Sequence, residues 1–347
     1  MEKAYRRFAV GLLVALGILF LLCAAVVIRI DPFFHYRDVD PEGEVWFEER
    51  YQMAGLLRTQ DYETVLMGTS LAANYRPEWL DAAFDTSTVK VTFPNGGLHE
   101  FDVALDYAYT RQDIKRLVFG LAPNILARDP AAAPDELPEY LYDNNPFNDA
   151  RYLWSKSVLT RSVYVAMEKA KGNTEPLQEA FLWDSETMFF SRNTAIGSYP
   201  RPEESGTVAP EDAFLGYCEE NLAVVESWIR EHPETEFHLY LSPYSILFWD
   251  KMARQGETEA MFTMLYYAVE KLLPYENVSV HCFLTDTDII TNLDNYTDHI
   301  HVSGEITEFM VGAMAEGTYV LTEENYRTQL EALHDFVVNY DYESIFQ

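Results

Sequence analysis

The chain has 347 residues, 48% hydrophobic and 14% aromatic, with a formal charge of -31. That length and apolar content supply a packed core, as one large α/β domain with an insertion or two smaller ones, and exclude a disordered chain. The charge excludes nucleic acid as a partner and any general attraction of the folded part to an anionic membrane.

Phe8 to Ile28 is an uncharged run of about twenty residues, enough to cross a bilayer as a helix. Lys3, Arg6 and Arg7 precede it, which predicts a cytoplasmic N-terminus and an extracytoplasmic main domain. A cleaved signal peptide is the alternative, because Cys23-Ala24-Ala25 imitates a small-residue cleavage site, but the run is longer than a usual apolar signal region. Phe20 and Leu22 are too bulky to precede a lipid-modified Cys23. We therefore expect a single-pass signal anchor over residues 1–30, its transmembrane helix at 8–28. Residues 31–61 follow as a membrane-proximal connector. Its Asp31-Pro32-Phe33-Phe34-His35-Tyr36 suits a membrane interface or packing on the base of the domain, and Tyr51 to Arg58 reads as a short helix.

From residue 62 to 347 strands and helices alternate. Val65-Leu66-Met67 is a short apolar strand, and Gly68-Thr69-Ser70 turns the chain at its carboxyl end. Pro77-Glu78-Trp79 opens a helix, Val89 to Phe93 alternates as a second strand, and Pro94-Asn95-Gly96-Gly97 stops it. Leu98, Phe101, Leu105, Ala108 and Tyr109 fall on one helical face, and Leu117 to Leu121 is a third strand. Between about 126 and 210 the alternation lapses into prolines (Pro130, Pro134, Pro138, Pro146), tyrosines and a helix near Tyr152 to Ala166. A structureless loop that long is improbable, so we expect a folded insertion at the cleft, a lid or substrate platform. Its Trp154 and Trp183 suit sugar stacking or the insertion's own core. Strands at Phe237 to Leu241 and Val278 to Phe283 follow helices around 213–230 and 259–273, and an amphipathic helix runs from about Leu321 to Phe336. The expected fold is α/β, a doubly wound, mostly parallel five-stranded sheet with a helical and aromatic insertion.

Ser70 sits where open α/β sheets keep their sites, at a strand's carboxyl end. A serine nucleophile needs a base and a group to orient that base, and Asp298-His299-Ile300-His301 offers both. His301 is the better base by the Asp-x-x-His spacing, with His299 as its rival. Serine also favours caps and turns, which is the plain alternative for Ser70. Tyr244 and Ser245, closing the fourth strand, face the same cleft and could contact substrate hydroxyls, or simply form a proline-containing turn. Three cysteines are too few for a disulfide framework, and Cys218 and Cys282 are expected buried and free. No metal site or cofactor is expected, since no Cys/His cluster has zinc spacing and the His299/His301 pair is all the support the sequence offers a metal. A phosphoesterase is disfavoured because no basic or metal cluster accompanies the serine.

The pairing of Gly68-Thr69-Ser70 with a late Asp298-x-x-His301 resembles the SGNH (GDSL-like) hydrolase superfamily, over roughly Thr64 to Gly317. With the anchor, the chain looks most like the membrane-anchored branch that includes teichoic-acid D-alanylation and alginate O-acetylation proteins. That resemblance implies a flavodoxin-like SGNH domain with Ser70, His301 and Asp298 as its triad. It implies that the loop after the second strand, Asn95-Gly96-Gly97, supplies oxyanion donors beside the Ser70 N–H. It also implies an extracytoplasmic esterase or O-acyltransferase working on acyl groups of a cell-surface polysaccharide or polymer, with a membrane-bound acyltransferase as partner. The sequence departs from the pattern after the third strand, where Gly120-Leu121-Ala122-Pro123-Asn124 replaces Gly-x-Asn-Asp and displaces the asparagine to Asn124. A catalytically degenerate surface protein on the same fold, binding carbohydrate or assisting an acyltransferase, is the alternative.

Overall fold

The run Thr64–Gly68 (β1) is buried from end to end, as an apolar strand inside a parallel sheet should be. A computed structural model of the protein, describing residues 2–132, 136–182 and 188–347, places four more strands parallel to it: β2 (Thr88–Thr92), β3 (Arg116–Gly120), β4 (Glu236–Leu241) and β5 (Val278–Cys282). A sixth, β6 (Val320–Leu321), pairs antiparallel with β5, and the order across the sheet is β2-β1-β3-β4-β5-β6. The sheet is therefore mixed and carries one strand more than the five the sequence predicts. β6 is two residues long, too short to show a period of its own.

The chain groups into two units, Met1–Gln60 with Leu137–Ala180, and Asp61–Glu136 with Phe181–Gln347. The second holds the sheet. On one face Leu66, Val118 and Tyr240 pack with Leu80 of the helix Pro77–Phe84 and Met310, Val311 and Met314 of the helix Gly304–Ala315. On the other, Phe119 meets Phe101 of the helix Leu98–Arg111 and Trp228 of the helix Leu215–Glu231, both edge-on. Helices thus cover both faces of the sheet. Cys218 and Cys282 are buried and free.

In the first unit the opening apolar run forms one helix, Glu2–Ile30, long and apolar enough to cross a membrane. It ends at Asp31, whose positive φ of 48° turns the chain. The buried Asp31 carboxylate accepts the N–H groups of His35, Tyr36 and Arg37 at 3.0, 2.7 and 2.9 Å, and the Tyr152 hydroxyl at 2.5 Å. Phe33 and Phe34 are buried beside it, so of the aromatic connector only Tyr36 stays substantially exposed. Glu44 is also buried and binds Arg37 and Lys169. Burial alone would raise its carboxyl, but the hydrogen bonds from Arg37 and Lys169 outweigh that and hold it below its ordinary value.

The stretch expected as one insertion is divided, since 137–180 belongs to this first unit and the described residues from 188 to 210 to the second. Its helix, Lys156–Lys171, runs beyond the predicted end. Its aromatic residues supply the first unit's own packing: Tyr152 lies against Phe33 and His35, and Trp154 stacks on Phe20 with ring centroids 4.7 Å apart. Pro134 and Trp183 lie outside the described residues.

Candidate active site

β1 ends at Gly68, where a Cβ would lie 2.9 Å from the Cβ of Ala72, so a side chain there would collide with the turn that follows. Ser70 opens that turn, Ser70–Ala72. The strand lies between β2 and β3, at the point where the strand order reverses, and such a switch point opens a crevice at the carboxyl end of an α/β sheet.

Two buried polar residues hold the turn. Lys90, inside β2, donates its ammonium to the carbonyls of Ala73 and Tyr75 at 2.8 and 3.0 Å. Asn74 donates its amide to the Val302 carbonyl at 2.8 Å, and Thr307 donates to the Asn74 carbonyl at 3.3 Å. The first brace ties the serine turn to the sheet. The second ties it to the loop that carries Asp298 and His301.

That loop closes on itself through an antiparallel bridge between Tyr296 and Val302 and through Thr297 N–H donating to the His301 carbonyl at 3.2 Å. Asp298 Oδ1 accepts the N–H groups of Ile300 and His301, each at 2.8 Å. Its Oδ2 lies 2.6 Å from His301 Nδ1, and His301 Nε2 lies 2.8 Å from Ser70 Oγ. The network assigns the tautomer: Nδ1–H donates to the carboxylate, leaving Nε2 to accept from the serine. Burial acts to raise the Asp298 carboxyl, but its hydrogen bond and ion pair with His301, helped by the two N–H groups, bring it down to about 2. Asp298 therefore remains a carboxylate across the neutral range.

His299, the rival base, is placed differently. Its ring lies 5.9 Å from that of Tyr199, its carbonyl accepts the Ser245 hydroxyl at 2.8 Å, and burial lowers its pKa. Ser245 is itself fully buried as the cap of the helix Ile246–Gln255, and so braces the loop instead of facing a cleft.

The turn after β2 also differs from expectation. Gly96 N–H donates to the Phe93 carbonyl at 2.8 Å and Gly97 N–H to Glu100 Oε2 at 3.1 Å, so neither is available as it stands for an oxyanion. The turn and the helix start consume these donors for their own closure. Gly97 is required for another reason: a Cβ there would lie 2.6 Å from the carbonyl oxygens of Pro130 and Ala132. Arg128, which sequence reasoning missed, grips the Asn95 side-chain and backbone oxygens and the Gly96 carbonyl. Desolvation lowers its pKa.

Tyr244 is fully buried and donates its hydroxyl to Asn124 Oδ1 at 2.8 Å. Its hydroxyl is thus engaged inside the protein and does not face an open cleft in this structure. Burial, and after it the charge of Asp298, push this hydroxyl far above its ordinary pKa, so it stays a donor and fixes the amide orientation of the exposed Asn124. Lys90 and Asn74 had one sequence signal each: a lysine within the apolar Val89-Lys90-Val91, and an amide closing Leu71-Ala72-Ala73-Asn74.

No family model matches the chain, and no curated protein does. Among solved structures it is similar to one from Streptococcus pneumonia, provisionally described as a platelet activating factor. The TM-score is 0.39 at 13% identity, over 77% of this chain and 88% of that chain. A likeness that low identifies no family.

Proposed function

We propose that the chain is a membrane-anchored, extracytoplasmic serine esterase or O-acyltransferase of the SGNH type, acting on acyl groups of a cell-surface glycan or polymer. One observation carries this: Ser70 Oγ, His301 and Asp298 form a hydrogen-bonded series at 2.8 and 2.6 Å, within the range a nucleophile and its base require. Ser70 Oγ attacks the acyl carbonyl while its proton passes to His301 Nε2, and the imidazolium is stabilised by Asp298. The tetrahedral adduct collapses, His301 returns the proton to the departing alkoxide, and an ester on Ser70 remains. Water or an acceptor hydroxyl then gives its proton to His301 and attacks that ester, and as the second adduct collapses His301 returns the proton to Ser70 Oγ and the acyl product leaves. Asn124, held by Tyr244, and the Ser70 N–H are the donors proposed for the oxyanion. The helix Glu2–Ile30 would keep the domain beside a membrane-bound acyltransferase that supplies the acyl donor, and Lys3, Arg6 and Arg7 favour the outward orientation.

The test is labelling of the full-length protein in detergent with a fluorophosphonate probe. The wild type should label, and Ser70→Ala and His301→Ala should not. A second proposal, a surface protein on the same fold that binds carbohydrate or assists an acyltransferase without turnover, draws on the engagement of the Gly96 and Gly97 N–H groups elsewhere. Losing one oxyanion donor costs about a hundredfold to a thousandfold in rate. Folded wild-type protein that does not label would decide for this second proposal.

A further inference from the structure

The first unit holds a stretch of chain alongside the last turns of its apolar helix, at two levels. Near the helix end, Asp149 accepts from the Tyr36 hydroxyl at 3.0 Å and lies 3.1 Å from His35 Nε2. Ten residues back along the helix, Trp154 stacks on Phe20 and donates its indole N–H to the Phe20 carbonyl at 3.1 Å. Residues 149–154 thus touch both the turn that follows the helix and the helix itself ten residues before its end.

This contact constrains where a bilayer can end. If it ended at Phe20, the run from Phe8 would span about 20 Å, some 10 Å short of the roughly 30 Å hydrocarbon core. Leu21, Leu22, Val26 and Ile28, which are 69%, 57%, 41% and 46% exposed, would then face water. If instead the whole run to Ile28 is in the membrane, Trp154 lies about 12 Å below its outer end. The indole N–H suits that depth, since it is already bonded to a protein carbonyl and needs no water. Phe147, two residues before Asp149, is 91% exposed, and Tyr36 and Trp154 are 41% and 40% exposed. Arg151 and Lys156 flank them, exposed, on side chains long enough to reach headgroup phosphates.

We propose that the collar formed by Tyr36, Phe147 and Trp154 is seated in the membrane leaflet at the C-terminal end of the helix, with Trp154 within the acyl-chain region. This rests on the helix crossing the membrane and is independent of the catalytic proposal. The attachment is apolar, so a neutral phosphatidylcholine bilayer suffices despite the chain's net charge of -31.

The experiment places the full-length protein in phosphatidylcholine vesicles, with the native cysteines replaced by alanine and a nitroxide on Phe147→Cys, Trp154→Cys or, as a control, Tyr217→Cys on the exposed face of the other unit. Flotation after a carbonate wash first tests the span itself, and protein that fails to float overturns the membrane assignment beneath the proposal. In floating protein, the ratio of oxygen to nickel-chelate accessibility should be severalfold higher at 147 and 154 than at 217. Equal ratios overturn the collar while leaving the span intact. A variant needing no label, Trp154→Phe, should lose a component of fluorescence that lipids brominated in their acyl chains quench. An unchanged quenching profile would count against the collar equally.

Discussion

Asp298→Asn isolates what the carboxylate does for the imidazole, because the amide keeps the size and can still accept the two loop N–H groups. Bringing the carboxyl from an ordinary 3.8 to about 2 corresponds to roughly 2 kcal/mol favouring its ionised form. Its side chain is 26% exposed, so the figure needs no large discount for solvent. Burial opposes that shift and the Ile300 and His301 N–H groups share in it, so roughly 2 kcal/mol is the net scale of the pairing between Asp298 and His301. Loss of that field alone slows acylation by about thirtyfold. If the amide presents its NH2 to Nδ1, the tautomer reverses and Nε2–H faces Ser70, and the loss rises to the order of 10⁴-fold. The assay is the second-order rate of fluorophosphonate labelling, with hydrolysis of a chromogenic ester beside it and thermal unfolding as a check on the fold. A folded Asp298→Asn protein that labels within about threefold of wild type would refute the role given to Asp298, since neither the field nor the tautomer would then matter.

Asn74→Ala removes the donor that ties the serine turn to Val302, and should cost about 1–3 kcal/mol of stability and slow labelling by about 10–100-fold. Asn325→Ala, which removes a comparable tie to Val320, should lower stability without slowing labelling. Burial pushes the Cys218 and Cys282 thiols up to about 12, so Ellman's reagent should leave both unmodified in the native protein and react with them only after unfolding. His238, whose Nδ1 lies 3.2 Å from His281 Nε2, is brought down from 6.5 to about 3 by burial and by the neighbouring His281 and Arg116. The unfolded chain therefore binds a proton below about pH 6.5 that the folded chain refuses, and stability falls as pH drops towards 3. Urea unfolding should show His238 costing about 2 kcal/mol at about pH 5, relative to pH 7.5, and His238→Gln should flatten that dependence.

Sequence alone determined the apolar helix and the order of strands and helices around Ser70, and it offered Asp298 and His301 as candidate partners for that serine. Each rests on a local signal: a run without charge, a period of two or 3.6, or an Asp-x-x-His spacing whose members meet within one loop. β2 shows the limit of such signals. Val89-Lys90-Val91 alternates like a half-exposed strand, yet Lys90 is buried, because its ammonium finds the Ala73 and Tyr75 carbonyls across the sheet. Only tertiary structure decided where 137–180 belongs, since Tyr142, Tyr152 and Trp154 find their partners at Arg50, Asp31 and Phe20, a hundred residues or so away in the chain. It decided likewise that the Gly96 and Gly97 N–H groups close their own turn, that Tyr244 is spent on Asn124, and that Asn74 joins the two halves of the site. The physical reason is common to all of these. A residue type limits which hydrogen bonds and contacts it can make, but which partner comes within 3 Å depends on segments brought together only by burial of the whole core.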